Sequence, residues 1–253
     1  MCLIFLAHQV HPDFPLILAA NRDEFHNRPA ARPHWWSEAP DVFAGKDLTA
    51  GGTWLGITRS GRLAAITNVR EPHLLKKDAP SRGQLTTDFL NSASHPLAFF
   101  EKWEKQFPEF NGFNLLLSDG RDMYYLSNRT QGPEKLGAGI FGLSNAILDT
   151  PWPKVRDGKK DFEQAVFQGQ NLTEGLFEVL QHADTYPDAD LPSTGVPLEL
   201  ERALSARFIR TQGYGSRVST VVLFGKNEQI YFEEQSFVPT GPPVQVSFAR
   251  TQI

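Results

Sequence analysis

The chain has 253 residues, a formal net charge of -4 and a pI near 6.0. Its length admits one large domain or two small ones, and 40% hydrophobic with 21% charged residues exclude a disordered or fibrous chain. The acidic balance argues against a nucleic-acid partner, which needs a clustered basic surface. A single cysteine, Cys2, rules out an intramolecular disulfide and a cysteine metal cluster, and points to a reducing, cytoplasmic setting.

The apolar run Met1 to Ala7 is too short for a signal peptide and lacks a basic leader, so neither secretion nor an integral membrane segment is expected. Cys2 to Val10 and Leu16 to Asn21 flank the turn chemistry of His11-Pro12-Asp13-Phe14-Pro15 and read as a β-hairpin. A hairpin centred at about residues 12 to 13 sets Cys2 opposite Arg22, Asp23 or Glu24. The Pro-rich stretch Arg28 to Pro40 reads as a loop in which Trp35 and Trp36 could wall an apolar cleft. Gly51 to Thr58 and Arg62 to Asn68 form a second hairpin across Ser60-Gly61.

Helical periodicity begins at Ser81-Arg82-Gly83-Gln84, which has capping-box spacing ahead of Leu85 and Phe89, and continues from Pro96 to Gln106. Strands return at Gly112 to Ser118, Met123 to Asn128 and Ile140 to Ser144. Two helices follow, over Lys154 to Phe167 and Thr173 to His182. A Pro- and Asp-rich connection, Tyr186 to Pro197, leads to strands at Ser216 to Phe224, Glu228 to Glu233 and Val244 to Phe248. Strand blocks at both ends with helices between them predict an α+β fold, and pairing of the terminal blocks favours one domain over residues 1–253.

Position 2 carries the sharpest chemistry. Methionine aminopeptidases act when the second residue is small, so a mature chain could begin at Cys2, with a thiol and a free α-amine on one residue. That amine, with an ordinary pKa of roughly 8, suits the role of general base for the thiol. The plainer reading is a small apolar residue opening a buried strand. Asn21-Arg22-Asp23-Glu24 closes the facing strand. A guanidinium there would stabilise thiolate and a carboxylate would hold the amine, whereas the plainer reading is a surface ion-pair cluster. His8 and His11 straddle a strand and a turn without a third ligand, no Gly-x-Ser-x-Gly elbow is present, and no phosphate-binding glycine loop is found.

Met1-Cys2, Leu18-Ala19-Ala20-Asn21-Arg22-Asp23-Glu24-Phe25, Gly51-Gly52-Thr53-Trp54-Leu55-Gly56, Leu63 to Asn68, Ser81-Arg82-Gly83 and Tyr214 to Thr220 follow one another along nearly the whole chain. In this order they resemble the NRDE-motif family, the transport and Golgi organisation protein 2 homologues. The resemblance implies a four-layer αββα sandwich of the N-terminal-nucleophile hydrolase type. It also implies roles by analogy with the wider cysteine N-terminal-nucleophile group: Cys2 as nucleophile, Asp23 holding its amine, Asn145 donating to an oxyanion, and Arg217 as a late supporting arginine. Asn21, Arg22 and Asn68 become supporting or substrate-binding residues, Asn68 as a second oxyanion donor. One departure matters. The acylase pattern separates its arginine and aspartate by two residues, whereas Arg22 and Asp23 are adjacent and face opposite sides of a regular strand. Without a bulge, only one shares the face of Cys2; Asp23 is the expected one, leaving Arg22 to orient Asp23 or bind substrate. The resemblance thus implies a hydrolase of an amide or related acyl bond, without metal or organic cofactor. The alternative is a non-catalytic carrier of a lipid, an acyl-CoA or haem on the same fold.

Overall fold

The computed structural model describes residues 2–251. The chain enters as the hairpin β1 (Cys2–His8) and β2 (Leu16–Phe25), closed by a bond from the Gln9 N–H to the Pro15 carbonyl at 2.8 Å. Four strands follow: β3 (Ala30–Trp35), β4 (Val42–Asp47), β5 (Leu55–Thr58) and β6 (Leu63–Asn68). Helices α1 (Gly83–Leu90) and α2 (Pro96–Trp103) lead to β7 (Phe113–Ser118), β8 (Met123–Ser127), β9 (Glu134–Leu136) and β10 (Gly139–Leu143). The chain ends with α3 (Pro153–Gln168), α4 (Leu172–Leu180), α5 (Leu198–Ser205), β11 (Tyr214–Phe224), β12 (Gln229–Phe237) and β13 (Thr240–Ala249).

Two antiparallel sheets result, one ordered β10-β1-β2-β11-β12-β13 and the other β3-β4-β5-β6-β7-β8-β9. Ile4, Leu6, Leu18 and Ala20 from the first sheet meet Ile57, Leu63, Ala65 and Leu116 from the second. The outer face of the first sheet, with Leu3, Phe5 and Ala19, packs on Phe162 of α3 and Leu176 of α4. The outer face of the second packs Ala64 and Leu115 on Leu85 of α1 and Phe99 of α2. The layer order is therefore helix, sheet, sheet, helix, the αββα sandwich expected. It also explains why β1 reads as an unbroken apolar run: both of its faces are covered.

Several local expectations change. The supposed loop from Arg28 to Pro40 carries edge strand β3, whose pairing with β4 is irregular between Ala31 and His34, where Pro33 has no N–H to donate. Ser81 does not cap α1 through its side chain; Arg82 is the N-cap, and the Ser81 carbonyl accepts from the Gln84 N–H at 3.1 Å. The periodicity past Trp103 ends in a 3-10 turn, Glu104–Glu109, because Pro108 cannot continue an α-helix. Strands β4 and β9 and helix α5 were not anticipated. Trp36 is buried under α1 and α2, and Trp35 packs on Phe43 and Phe248; the tryptophan that reaches a cleft is Trp54. No helix among the described residues is long and apolar enough to cross a membrane.

Candidate functional site

Hairpin register places Cys2 directly opposite Arg22. Directly paired residues share a face, and Ile4, Leu6, Leu18 and Ala20 show that this face looks toward the second sheet. Cys2 and Arg22 thus stand where the two sheets part at one end of the sandwich, on the wall of a cleft of about 390 Å³. The cleft is also lined by Asp23, Glu24, Arg28, Asp47, Trp54, Asn68, Arg82 and Glu234. Cys2 is only 7% exposed. Burial pushes its thiol above the usual value, and the Asp23 carboxylate adds to the rise, while Arg22 and the Asp23 backbone N–H act against it.

The cleft's charges are largely matched within the protein. Arg22 Nη2 lies 3.4 Å from Asp47 Oδ2 and 3.7 Å from Glu24 Oε2, and Arg28 Nε donates to Asp47 Oδ2 at 2.6 Å. Lys46 pairs with Glu38. Burial alone would raise Asp47, but the Arg28 hydrogen bond and the Ala50 and Thr49 N–H groups hold it below the ordinary carboxylate value. Glu234, on β12, receives a bond from Thr220 Oγ1 at 3.2 Å; burial pushes its carboxyl up to about 7.

The register corrects one expectation: Arg22, not Asp23, shares the face of Cys2, because Arg22 is its direct partner and Asp23, one residue on, falls on the opposite face of β2. At the strand end Asp23 still borders the cleft. It pairs with Ser216 of β11, whose Oγ donates to Asp23 Oδ1 at 2.5 Å. Burial raises the Asp23 carboxyl, and the nearby Lys154 ammonium pulls it back. Asn21 points into the helix-covered side, donating to the Leu180 and Arg207 carbonyls at 2.8 Å each and accepting from Ser219 Oγ at 2.6 Å. Those bonds tie β2 to the end of α4 and set Asn21 apart from the cleft.

Asn145 follows β10 and is buried. Its amide donates to the Asn68 carbonyl at 2.9 Å, and its own carbonyl accepts from the Arg70 N–H at 2.7 Å. Ser144 Oγ is shared between the Cys2 carbonyl, at 3.2 Å, and Asn145 Oδ1, at 3.3 Å. Asn145 is thereby linked to both Cys2 and the cleft-lining Asn68. Arg217 is the extra residue at a bulge in β11, between the pairs Ser216–Asp23 and Val218–Arg22. Its guanidinium donates to the carbonyls of Val238, at 2.9 Å, of Phe25, at 3.3 Å, and of Arg28. It binds the far end of β2 rather than facing the cleft lining.

Behind the cysteine lies a closed ionic cluster that sequence reasoning missed. Arg70 and Glu201 form a buried pair at 2.7 Å, Thr194 also donates to Glu201, and Arg70 stacks over Trp152. Lys154, fully buried on α3, donates to the Leu204 carbonyl at 2.9 Å. Burial, reinforced by Arg70, pulls its ammonium down to about 8, against the pull of Asp23 and Cys2. The signal for Lys154 was available as a charged residue in the apolar stripe of α3 with Val155, Phe162 and Val166. Glu201 gave none, because α5 itself was not recognised.

The family model described as Transport and Golgi organisation 2 matches residues 1–239. A Transport and Golgi organization protein 2 homolog from Bos taurus is 36% identical over 263 residues, covering 96% of this chain and 95% of the relative. The Homo sapiens homolog is 35% identical, covering 94% of each, and the Drosophila melanogaster protein 30% identical, covering 96% and 94%. Among solved structures, a Caenorhabditis elegans N-acylethanolamine-hydrolyzing acid amidase ortholog aligns with a TM-score of 0.43 at 12% identity, covering 88% of this chain and 92% of that one. A mutant conjugated bile acid hydrolase from Clostridium perfringens also gives 0.43, at 9% identity, covering 99% and 98%. On the sequence matches, which run through almost the full length of both partners, this chain belongs to the Transport and Golgi organisation 2 family.

Proposed function

We propose that this protein is a cysteine N-terminal-nucleophile hydrolase that cleaves an amide or related acyl bond, working as a single cytoplasmic domain. The observation that carries the reading is the placement of the lone thiol. Cys2 opens a central strand at the wall of a cleft, with Arg22 opposite it and a buried carboxyl, Asp23, on the other side of the neighbouring strand. Pairing of N-terminal β2 with C-terminal β11 supports the single unit.

Removal of Met1 gives Cys2 a free α-amine. The amine takes the thiol proton as sulfur adds to the acyl carbon, and Asp23 holds the resulting ammonium. The developing oxyanion is met by the second N–H of Asn145, whose first is committed to the Asn68 carbonyl, and by Asn68 itself. Collapse of the adduct expels the leaving group, which takes the proton from the ammonium. Water then adds to the thioester, with the amine again as base, and releases the acid and the thiol. Arg22 favours the thiolate and Arg217 fixes the strand end. This sequence needs no metal or organic cofactor. Native protein lacking Met1 by intact mass, together with an acyl adduct on Cys2 during turnover of acyl amides or thioesters, is the expected result. Full retention of Met1 would sink the amine-base step, and hydrolysis unchanged in Cys2→Ala would sink the nucleophile.

A second reading is favoured by the raised thiol, since burial works against a nucleophile. In that case the cleft carries a lipid, an acyl-CoA or haem without turnover. Equal binding of palmitoyl-CoA or haem by wild type and Cys2→Ala, with no hydrolysis by either, would establish it.

A further inference from the structure

We propose that Arg82 is an anion-recognising residue that selects for a substrate bearing a carboxylate or phosphate group close to the bond presented to Cys2. The proposal rests on the hydrolase reading for the identity of the reacting bond, but the anion site itself is read from the cleft's charges.

Four basic side chains line the cleft: Arg22, Arg28, Lys46 and Arg82. The first three are already answered by Asp47, Glu24 and Glu38. Arg82 forms no ion pair among the described residues. Its Nη1 donates to the Gly112 carbonyl at 3.1 Å, a neutral partner that fixes the guanidinium without cancelling its charge. Burial pulls Arg82 below its usual value, and the strongest charge opposing that is the thiolate form of Cys2, ahead of Glu24. Arg82 thus lines the same cleft as Cys2 and is short of a counter-charge. Glu234 does little to supply one, because burial keeps much of its carboxyl protonated near neutral pH.

The backbone is shaped to bring Arg82 there. Gly52 and Gly83 pack so closely that a Cβ on Gly52 would meet the Gly83 carbonyl carbon at 2.6 Å. Two glycines in contact let the start of α1 sit against the loop before β5, which sets Arg82 on the cleft wall. A guanidinium in a partly dry wall offers a forked pair of donors to a planar carboxylate or to phosphate oxygens, and gains more from an anion than it would in water.

The test separates binding from turnover. Full-length Cys2→Ala protein is titrated with glutarate, inorganic phosphate and neutral butyramide, and the same titrations are repeated with Arg82→Gln and Arg82→Lys added. Wild-type protein with each Arg82 variant is then compared on glutaryl and butyryl p-nitroanilide. Binding of glutarate or phosphate in preference to butyramide is expected; whichever anion binds more tightly identifies the group. Arg82→Gln should weaken anion binding roughly ten- to a hundredfold and lower the glutaryl-to-butyryl ratio of kcat/KM to a similar degree. Arg82→Lys, which keeps the charge but loses the forked donors, should lie between wild type and Arg82→Gln in both. No preference for anions, or anion binding and the glutaryl-to-butyryl ratio both unchanged in Arg82→Gln, would overturn the proposal. Anion binding lost in Arg82→Gln while no anilide is hydrolysed would leave Arg82 as a ligand-selecting residue and break the hydrolase reading instead.

Discussion

The two faces of β2 carry polar clusters of opposite character. On the inter-sheet face, Arg22, Glu24, Arg28 and Asp47 share partners at a cleft wall in contact with solvent. Behind the strand, Arg70, Glu201 and Lys154 are shut in, and each has a fixed partner. A charge in the first cluster can be released to a ligand because water and a second partner stand ready. A charge removed from the second strands its neighbour in a dry interior. The site therefore has an adaptable front and a rigid back, and the back reaches the site through the Arg70 N–H, which donates to the Asn145 carbonyl at 2.7 Å.

The largest effect should come from the back. Glu201→Gln leaves the buried Arg70 guanidinium without its anion and weakens the anchor for Thr194. Loss of one partner of such a pair costs about 3–5 kcal/mol, read as a lowered urea midpoint. Arg70→Met with Glu201→Met should recover most of that loss, because no charge is left unpaired. A cost for Glu201→Gln below about 1 kcal/mol would mean that water reaches the cluster, and the contrast between front and back would fail.

Glu234 sharpens the comparison because it lines the open cleft yet is buried like a member of the closed cluster. Its carboxyl rises from an ordinary 4.5 to about 7. The native state therefore holds this proton when the unfolded chain has released it. The stabilisation is complete below 4.5, falls as pH rises toward 7, and is gone above it. That shift amounts to about 3 kcal/mol. Glu234→Gln should make the protein more stable than wild type at pH 8 by an amount of that order, with little difference at pH 4.5. Parallel stability curves for the two proteins between those pH values would show that Glu234 stays ionised beside Arg22.

The front was more legible in the sequence than the back. That Cys2 faces the segment 22–24 could be anticipated from a turn between two apolar runs, but not which residue meets it. The connection over residues 9–15 leaves the register open by a residue or two, and Arg22 stands where Asp23 was expected. Adjacency of Arg22 and Asp23 likewise announced that the two would face opposite sides, and they do. The closed cluster was hidden because its members meet through helices α3 and α5 and a loop residue, from positions 70, 154 and 201. Nothing local marks such a meeting. Arg82 stood in a recognisable Ser81-Arg82-Gly83 motif, but its position depends on Gly52, thirty positions earlier, allowing close backbone approach. Asn21 shows the opposite case: a polar residue, next to the strand end that faces Cys2, whose bonds are spent on tying β2 to α4.

Gly52→Ala probes how finely the front is built. The added Cβ would sit 2.6 Å from both the Gly83 carbonyl carbon and its oxygen, backbone atoms that cannot swing aside. Overpacking of this kind costs about 1–3 kcal/mol, and it should also push the start of α1 away from the cleft. The expected result is a modest drop in thermal midpoint together with weakened glutarate or phosphate binding. Full stability and unchanged anion binding would mean that α1 can shift without moving Arg82.

Arg28→Gln should give the smallest change. Arg28 is one-third exposed and its carboxylate partner Asp47 also keeps Arg22 and the Thr49 and Ala50 N–H groups. A partly solvated pair with such substitutes contributes about 1 kcal/mol or less. The loss should shrink further in 0.5 M salt, where the Debye length is only about 4 Å and screens surface charges but not buried ones. Glu201→Gln, measured in the same salt series, should keep its full cost. If Arg28→Gln proves as costly as Glu201→Gln and equally indifferent to salt, Arg28 and Asp47 belong to the rigid part of the site, and a ligand could not draw either away from its partner.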